Sequence, residues 1–536
     1  HQYLTPDQFA AKFGQPDSQI QNFENYFKQH HTQVSIYPGN YLLKVTAPLK
    51  TLAKTFGAKY HKSSTSREYT TTSLPASLSS QVVAVIGLYD TNEKFADTSQ
   101  APAAKFPKFS SKPNLKLSAA KFSKQYGALK FANRYQLNKL YDQGLQGQRQ
   151  RIGIITTNTG INDKNPLTYW KKLGVSANSQ RIHKIYVNDG QKITNELTNL
   201  GVTGNEAEAT LDVEQAGSVA PKADLDVYLA TSADSTESTN LLYYNDFATA
   251  ISNDQDKQVS TSFSPGIELS KNWADGSSET LSQYNTALNM LFEQAAAQGI
   301  SVFSATGDNG AWAVPQKKPS NIVTTSPYVT LIGGTTLPYK YRINGKNIQV
   351  KSERAWGDVQ YVSKCDANTG IIPGGGGGLA GLYPTQSYKQ GISGSDIFNA
   401  SSALNYGDAK YTVNKQPKLI SGTATGRNLP DVAGNADLVT GYAMYISGDK
   451  VGYSEKTKKV TRKPFKIWNI SGGTSFTTPQ IAAANAVMNS GTNTPIGFWN
   501  PQIYKFAQQS DSPFNVLDST KDNNNLYYTG QPGKLY

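Results

Sequence analysis

The chain has 536 residues, a formal net charge of +13, 38% apolar and 17% charged residues, and 31 Tyr, 20 Phe and 6 Trp, an aromatic load that excludes wholesale disorder. The best apolar run, Val82 to Tyr89, is far short of the about 20 residues of a membrane span, and the single cysteine, Cys365, excludes an internal disulfide framework and a Cys-rich metal site. The basic balance is compatible with nucleic acid, an anionic cell surface or simple solubility, so charge alone selects no function.

In chain order, the sequence begins at His1 rather than Met and shows no signal peptide, as expected of a processed or trimmed chain. Thr5-Pro6-Asp7-Gln8 predicts a helix start, with Thr as cap, Pro in the first turn and Gln at the capping-box position. Ile20 to His30 predicts a second helix, Asn40 to Thr46 a strand, and Pro48 to Phe56 a helix stopped by Gly57. Residues 1–90 therefore form one small unit. Residues 91–125 read as an exposed linker. From Ala101 to Gln125 there are six lysines and no acid, with Pro and small residues between them. Such a tether suits a processing site.

Residues 126–536 alternate apolar strands with helices. Candidate strands are Ile152 to Thr156, Leu225 to Ala230, Val259 to Phe263, Ile300 to Ala305 and Val329 to Ile332, and Ser278 to Gln298 has helical spacing. Strands that are apolar throughout, alternating with helices, predict a mostly parallel, doubly wound α/β sheet covered on both faces.

Three segments carry chemistry. Gly472-Gly473-Thr474-Ser475, followed by an Ala-rich helix, places a serine at a helix N-terminus, where free N–H groups and the dipole favour developing negative charge. A capped glycine turn ahead of a core helix gives the same pattern. A histidine base is scarce. His1, His30, His31 and His61 lie in the first unit, and the remaining chain offers only His183, flanked by Arg181 and Lys184. The window Ile193 to Pro221 has no Lys or Arg but holds Glu196, Glu206, Glu208, Asp212 and Glu214. Thr203-Gly204-Asn205 offers a helix start, so Glu208 and Asp212 share one face at i, i+4, about 5–6 Å apart. Two carboxyls held that close share a proton and can serve as a base in acid; a solvated acidic helix start is the plain alternative. Finally, Ile300 to Ala305 runs into Gly307-Asp308-Asn309-Gly310, which puts Asp308 at the carboxyl end of a strand, where ligands bind. The same four residues also suit an Asx turn.

Together these segments resemble the sedolisin family of serine-carboxyl peptidases in its pro-kumamolisin-like form. The resemblance covers nearly the whole chain. It includes Tyr3 to Phe9 and Leu74 to Leu78 in the first unit, Tyr135 to Tyr141, Glu208-x-x-x-Asp212, Gly307 to Gly310, the run Gly374 to Gly378, Leu429-Pro430-Asp431-Val432 and Gly472 to Ser475. It implies a subtilisin-like catalytic domain over 126–536 and a small α+β, ferredoxin-like inhibitory propeptide over 1–90. It implies Ser475 as nucleophile, Glu208 as base paired with Asp212, and Asp308 as oxyanion group. It places a substrate-binding edge at Ser264-Pro265-Gly266, with Gly374, Gly375 and Gly376 opposite; Pro265 removes a ring and a donor that the family often has there. It implies one calcium ion held through oxygens at Asp518, Ser519, Gly533 and Leu535, although the chain stops at Tyr536, about where the last ligand should follow.

The resulting expectation is a secreted, acid-activated peptidase precursor, monomeric, with peptide or protein substrates, its own propeptide as inhibitor and no nucleic acid or membrane-spanning partner. The near-absence of cysteine suits an exported bacterial protein, and the basic charge suits a site near an anionic envelope. Endopeptidase and tripeptidyl-peptidase activities both fit. Two rivals are a histidine-dependent subtilisin relative using His183, and a secreted adhesin or peptide-binding protein on a decayed peptidase fold.

Overall fold

The structure, a computed structural model, describes residues 2–62, 67–88, 112–188, 201–231, 239–263, 278–308, 310, 326–343, 346–357, 373–380, 383–392, 395, 397–402, 404–407, 410–413, 419–423, 426–454, 459–517 and 526–527. The N-terminal unit contains helices Pro6–Phe13, Asp17–Gln29, Leu49–Thr55 and Ala76–Ser79. The capping box is present: Gln8 N–H donates to Thr5 Oγ1, and Thr5 N–H donates to Gln8 Oε1. Gly57 ends the third helix at φ +54°, which a glycine adopts without penalty. The unit's strands form two separate antiparallel pairs, Gln33–Ile36 with Leu43–Thr46 and Lys59–Lys62 with Arg67–Thr71. Phe23, Phe27, Phe56, Leu78 and Leu88 make its own small core.

The larger domain is built on an eight-stranded sheet. Its order is Arg354–Ala355, Thr330–Thr336, Ser301–Ala305, Gln258–Thr261, Arg151–Thr157, Asp224–Thr231 and Ile182–Asn188, with Val432–Asn435 also pairing to Thr330–Thr336. All pairings are parallel except that of Arg354–Ala355. The candidate strands read from sequence all lie in it. Alternation along each strand feeds two cores. Leu225, Val227 and Leu229 face helices Gly204–Val219 and Thr474–Asn489, whereas Tyr228 and Ala230 face helices Thr239–Asn253 and Ser278–Ala297. Burial on both sides explains why these strands read as unbroken apolar runs.

Two features depart from the sequence reading. The linker was expected to extend to residue 125, but Ala119–Tyr126 is a helix whose Phe122 is fully buried against the larger domain's core, edge-on to Trp468. Burial of that ring outweighs the polar, lysine-rich composition around it. In addition, Tyr442–Ser454 and Lys459–Ser471 form a long antiparallel ribbon that runs directly into the Ser475 segment.

The N-terminal unit lies on the helices Thr239–Asn253 and Ser278–Ala297. Tyr37, Tyr41, Leu42, Ala84 and Ile86 pack against that core. Leu4 N–H donates to the Ala297 carbonyl (2.9 Å), Tyr3 O–H to the Ile496 carbonyl (2.7 Å) and Tyr41 O–H to Gln294 Oε1 (2.6 Å). No helix among the described residues is long and apolar enough to cross a membrane.

Candidate active site

The acidic window is the helix Gly204–Val219, capped by Thr203, whose Oγ1 accepts from Glu206 N–H at 3.1 Å. It is not a solvated helix start. From Ala209 to Val219 every residue is buried, Asp212 and Glu214 completely. The helix packs along Thr474–Asn489, the helix that opens with Thr474-Ser475. Two mostly buried helices in contact therefore carry the carboxyls and the serine toward one another.

At their meeting point the Ser475 side chain faces Glu208, close enough to favour its ionised form. Glu208 and Ser475 are half-buried, whereas Asp212, one turn further along, is sealed off. Burial pushes the Glu208 carboxyl up to about 7, opposed by the Ser475 side chain and reinforced by the nearby Asp308 charge. Burial, and then the charge of Glu208, raise Asp212 well above the ordinary aspartate range; the Ser262 hydroxyl, which donates to Asp212 Oδ1 at 2.6 Å, works the other way. Glu208 Oε1 and Asp212 Oδ2 have no hydrogen-bond partner among the described residues.

Asp308 approaches the same point from the end of strand Ser301–Ala305. Its Oδ1 accepts from the Thr474 N–H (2.7 Å) and the Thr474 hydroxyl (2.8 Å), and Thr474 Oγ1 in turn accepts from Gly307 N–H (3.2 Å). Burial raises Asp308 and these hydrogen bonds oppose the rise. Since Oδ1 already accepts twice, a proton on Asp308 belongs on Oδ2. That atom lies against Gly473, where φ is +126° and an added Cβ would fall 2.5 Å from Oδ2.

Gly374 and Gly376 bond to the loop that carries Asp308. Gly374 N–H donates to the Asp308 carbonyl (2.9 Å), Gly310 N–H donates to the Gly374 carbonyl (2.9 Å) and Gly376 N–H donates to the Gly307 carbonyl (2.8 Å). A Cβ at Gly376 would overlap the Thr306 carbonyl. The glycine run thus clamps the Asp308 loop by backbone contacts alone. Ser264 and Gly266, also expected to bind substrate, lie outside the described residues, as do Asp518, Ser519, Gly533 and Leu535, the expected calcium ligands. Among the described residues no group of three or more His, Cys, Asp or Glu could hold a metal ion.

His183 stands apart from this cluster. It lies at the start of the edge strand Ile182–Asn188, partly exposed, with Nε2 3.8 Å from Asp224 Oδ2. Those strand starts are at the opposite end of the sheet from Ser262 and Asp308, which follow strand carboxyl ends. Leu429-Pro430-Asp431-Val432 also serves structure. Asp431 is fully buried, bonded to Arg427 (2.6 Å) and Lys389 (2.9 Å), and accepts from Leu331 N–H (2.9 Å) and Tyr504 O–H (2.9 Å). The two cations hold its carboxyl below the usual range despite burial. Sequence reasoning did not find Ser262 or the side-chain role of Thr474. Thr474 stood inside a quoted motif, whereas Ser262 had only its place after a buried strand to mark it.

The profile of the family described as "Pro-kumamolisin, activation domain" matches residues 1–91. Kumamolisin of Bacillus sp. (strain MN-32) is 29% identical over 406 residues, which cover 75% of this chain and 58% of kumamolisin. Tripeptidyl-peptidase 1 of Canis lupus familiaris is 27% identical over 248 residues, covering 44% of this chain and 33% of that protein. The chain thus matches less than two thirds of the length of these curated relatives. Among solved structures, Pseudomonas sedolisin complexed with two molecules of pseudo-iodotyrostatin aligns with a TM-score of 0.46 and 20% identity, covering 72% of this chain and 86% of that one. The chain thus has a match to an activation domain at its N-terminus and is similar to the peptidases kumamolisin and tripeptidyl-peptidase 1.

Proposed function

We propose that this chain is the precursor of a serine-type peptidase that works in acid, with Ser475 as nucleophile, Glu208 and Asp212 as a proton-sharing base and Asp308 as oxyanion group. The observation that carries the reading is Ser475 at the start of a buried helix, facing the Glu208 carboxyl of the helix packed against it, with the sealed Asp212 carboxyl one turn further along. A hydroxyl needs a base to become a nucleophile, and a carboxyl raised toward neutrality is a stronger base than a free one.

Ser475 Oγ attacks the carbonyl carbon of the scissile bond while its proton passes to Glu208. The carbonyl oxygen, now an oxyanion, is held by the Asp308 O–H in a site with few competing waters. Collapse of this adduct breaks the C–N bond, and Glu208 returns the proton to the departing amine. Water then attacks the acyl-enzyme by the same route, giving its proton to Glu208 and restoring Ser475 Oγ–H. Asp212 shares the pair's remaining proton throughout, so Glu208 need not carry an isolated buried charge. These steps require protonated Asp308 and one proton on the carboxyl pair, conditions met on the acid side of neutrality.

The N-terminal unit, docked on the two helices of the opposite core, acts as the inhibitor that is cut away between residues 91 and 118, and the chain works outside the cell. The calcium ion expected at the C-terminus enters none of these steps. Acidification of the purified chain to about pH 4 followed by mass spectrometry tests the reading. It predicts cleavage in the lysine-rich segment and none in Ser475→Ala. Absence of cleavage and of peptide hydrolysis in the unaltered chain would favour a binding protein on a peptidase fold.

A further inference from the structure

Ser262 follows the central strand Gln258–Thr261 and sits between the two helices that meet at the site. Its hydroxyl oxygen is 2.6 Å from Asp212 Oδ1 and 3.4 Å from the backbone carbonyl oxygen of Ser475. That second contact has a cause in the sequence. The carbonyl of residue 475 would normally accept from the N–H of residue 479, four positions on, but residue 479 is proline and has no N–H. The serine's own carbonyl is therefore left open inside the helix, and Ser262 is the side chain that reaches it.

We propose that Ser262 is a positioning residue: its hydroxyl bridges Asp212 to the carbonyl of Ser475 that Pro479 leaves open, and so fixes which oxygen of Asp212 carries the proton shared with Glu208. The inference rests on the reading of Glu208 and Asp212 as the base of Ser475. The hydroxyl has one hydrogen, and the shorter contact, to a carboxyl oxygen, takes it. Oδ1 is then engaged as an acceptor, and the shared proton is left to Oδ2, which like Glu208 Oε1 has no hydrogen-bond partner among the described residues. If Asp212 instead turns its proton to Oδ1, it donates to Ser262, which donates on to the Ser475 carbonyl. Glu208 then loses its proton partner. The shorter contact of the Ser262 hydroxyl, to Asp212 Oδ1 rather than to the Ser475 carbonyl, favours the first arrangement, the one that supports the base.

The ionisable groups that act on the pair are its own two members and Asp308. The serine helix and strand Gln258–Thr261 contribute no charged residue. Charged residues on other elements packed against the acidic helix are engaged elsewhere: Arg151 with Asp226, Arg134 with Glu353, and Lys130 with the carbonyls of Thr440 and Gly441. Removing the Ser262 donor therefore acts on the pair without a charged neighbour to replace it.

The test is the pH profile of kcat/KM for a peptide substrate, measured on acid-processed enzyme for the unaltered chain, Ser262→Ala and Ser262→Thr. In Ser262→Ala the acid limb is expected to move to higher pH by about one unit, with kcat reduced about tenfold and KM little changed, because a donor that favoured ionised Asp212 is gone. Ser262→Thr, which keeps the hydroxyl, should restore the limb. An acid limb unmoved in Ser262→Ala, or moved equally in Ser262→Thr, overturns the proposal. If Ser262→Ala fails to process itself, the same comparison is made on Ser262→Thr and Ser262→Cys precursors, where a Cys profile matching the parent also counts against it. Processing by Ser475→Ala would sink the underlying reading instead, so the two failures are distinguishable.

Discussion

Gly473 and Asp308 meet so closely that a Cβ on residue 473 would stand 2.5 Å from Asp308 Oδ2, with the backbone at φ +126°. Gly473 is thus required twice, by its own conformation and by the Asp308 carboxyl pressed against it. Gly473→Ala should displace the Asp308 carboxyl and cost activity of the order of 10²–10³-fold, as loss of an oxyanion donor does. The backbone strain adds about 1–3 kcal/mol of destabilisation. Peptide hydrolysis near pH 4 and thermal unfolding of the same variant check both; activity within a fewfold of the parent would show that Asp308 does not act from this position.

The carboxyls buried in this domain make stability depend on pH in a definite direction. Glu208, Asp212, Asp308 and Glu214 are all raised by burial. A group whose folded value lies above its unfolded one stabilises fully below the unfolded value and loses that contribution as pH rises through the folded one. For Glu208 this window runs from about 4.5 to about 7. The unfolding midpoint of Ser475→Ala, which cannot process itself on this account, should be highest near pH 4 and fall toward pH 8. A midpoint that rises over the same range contradicts the assignment.

Glu214 offers a cleaner version of the same argument, because it is two residues beyond Asp212 yet points away from the serine. Among the described residues its carboxyl accepts from the Tyr445 N–H alone, at 3.1 and 3.3 Å to its two oxygens. In a Ser475→Ala background, Glu214→Gln keeps an acceptor for that N–H and removes the cost of ionising a sealed acid. The two chains should unfold together near pH 4, and the Gln chain should be the more stable by several degrees at pH 8. Equal midpoints at both pH values would mean that Glu214 does not titrate.

Asp431 should behave in the opposite way. It pairs with two buried cations, Arg427 and Lys389. Asp431→Asn leaves both charges uncompensated and is expected to cost about 3–5 kcal/mol. The loss should be visible as a lower unfolding midpoint and poor recovery of folded protein, with no change in the position of the pH profile of whatever enzyme survives.

Much of this was legible in the sequence because single residues dictated it. The Thr5–Gln8 cap, the apolar strands and the Glu208–Asp212 spacing follow from local chemistry and helical period, and each is found. What escaped reading depends on residues distant in sequence. Phe122 made a helix of residues expected to be linker because a buried ring outweighs its polar neighbours. The second strand of the ribbon, Lys459–Ser471, carries lysines on a mostly exposed run and lacks a simple alternation. Ser262 gains its place only through a proline more than two hundred residues away.

The most direct test of the central claim is the single-turnover rate of Glu208→Gln against a peptide substrate at pH 4, with the propeptide removed by another protease so that self-processing is not required. A base that takes the serine proton cannot be replaced by an amide, so acylation is expected to fall by about 10²–10⁴-fold, with the fold and the Ser475 helix intact by circular dichroism. Acylation within tenfold of the parent, with the same pH dependence, would contradict the assignment and leave Ser475 dependent on some other group.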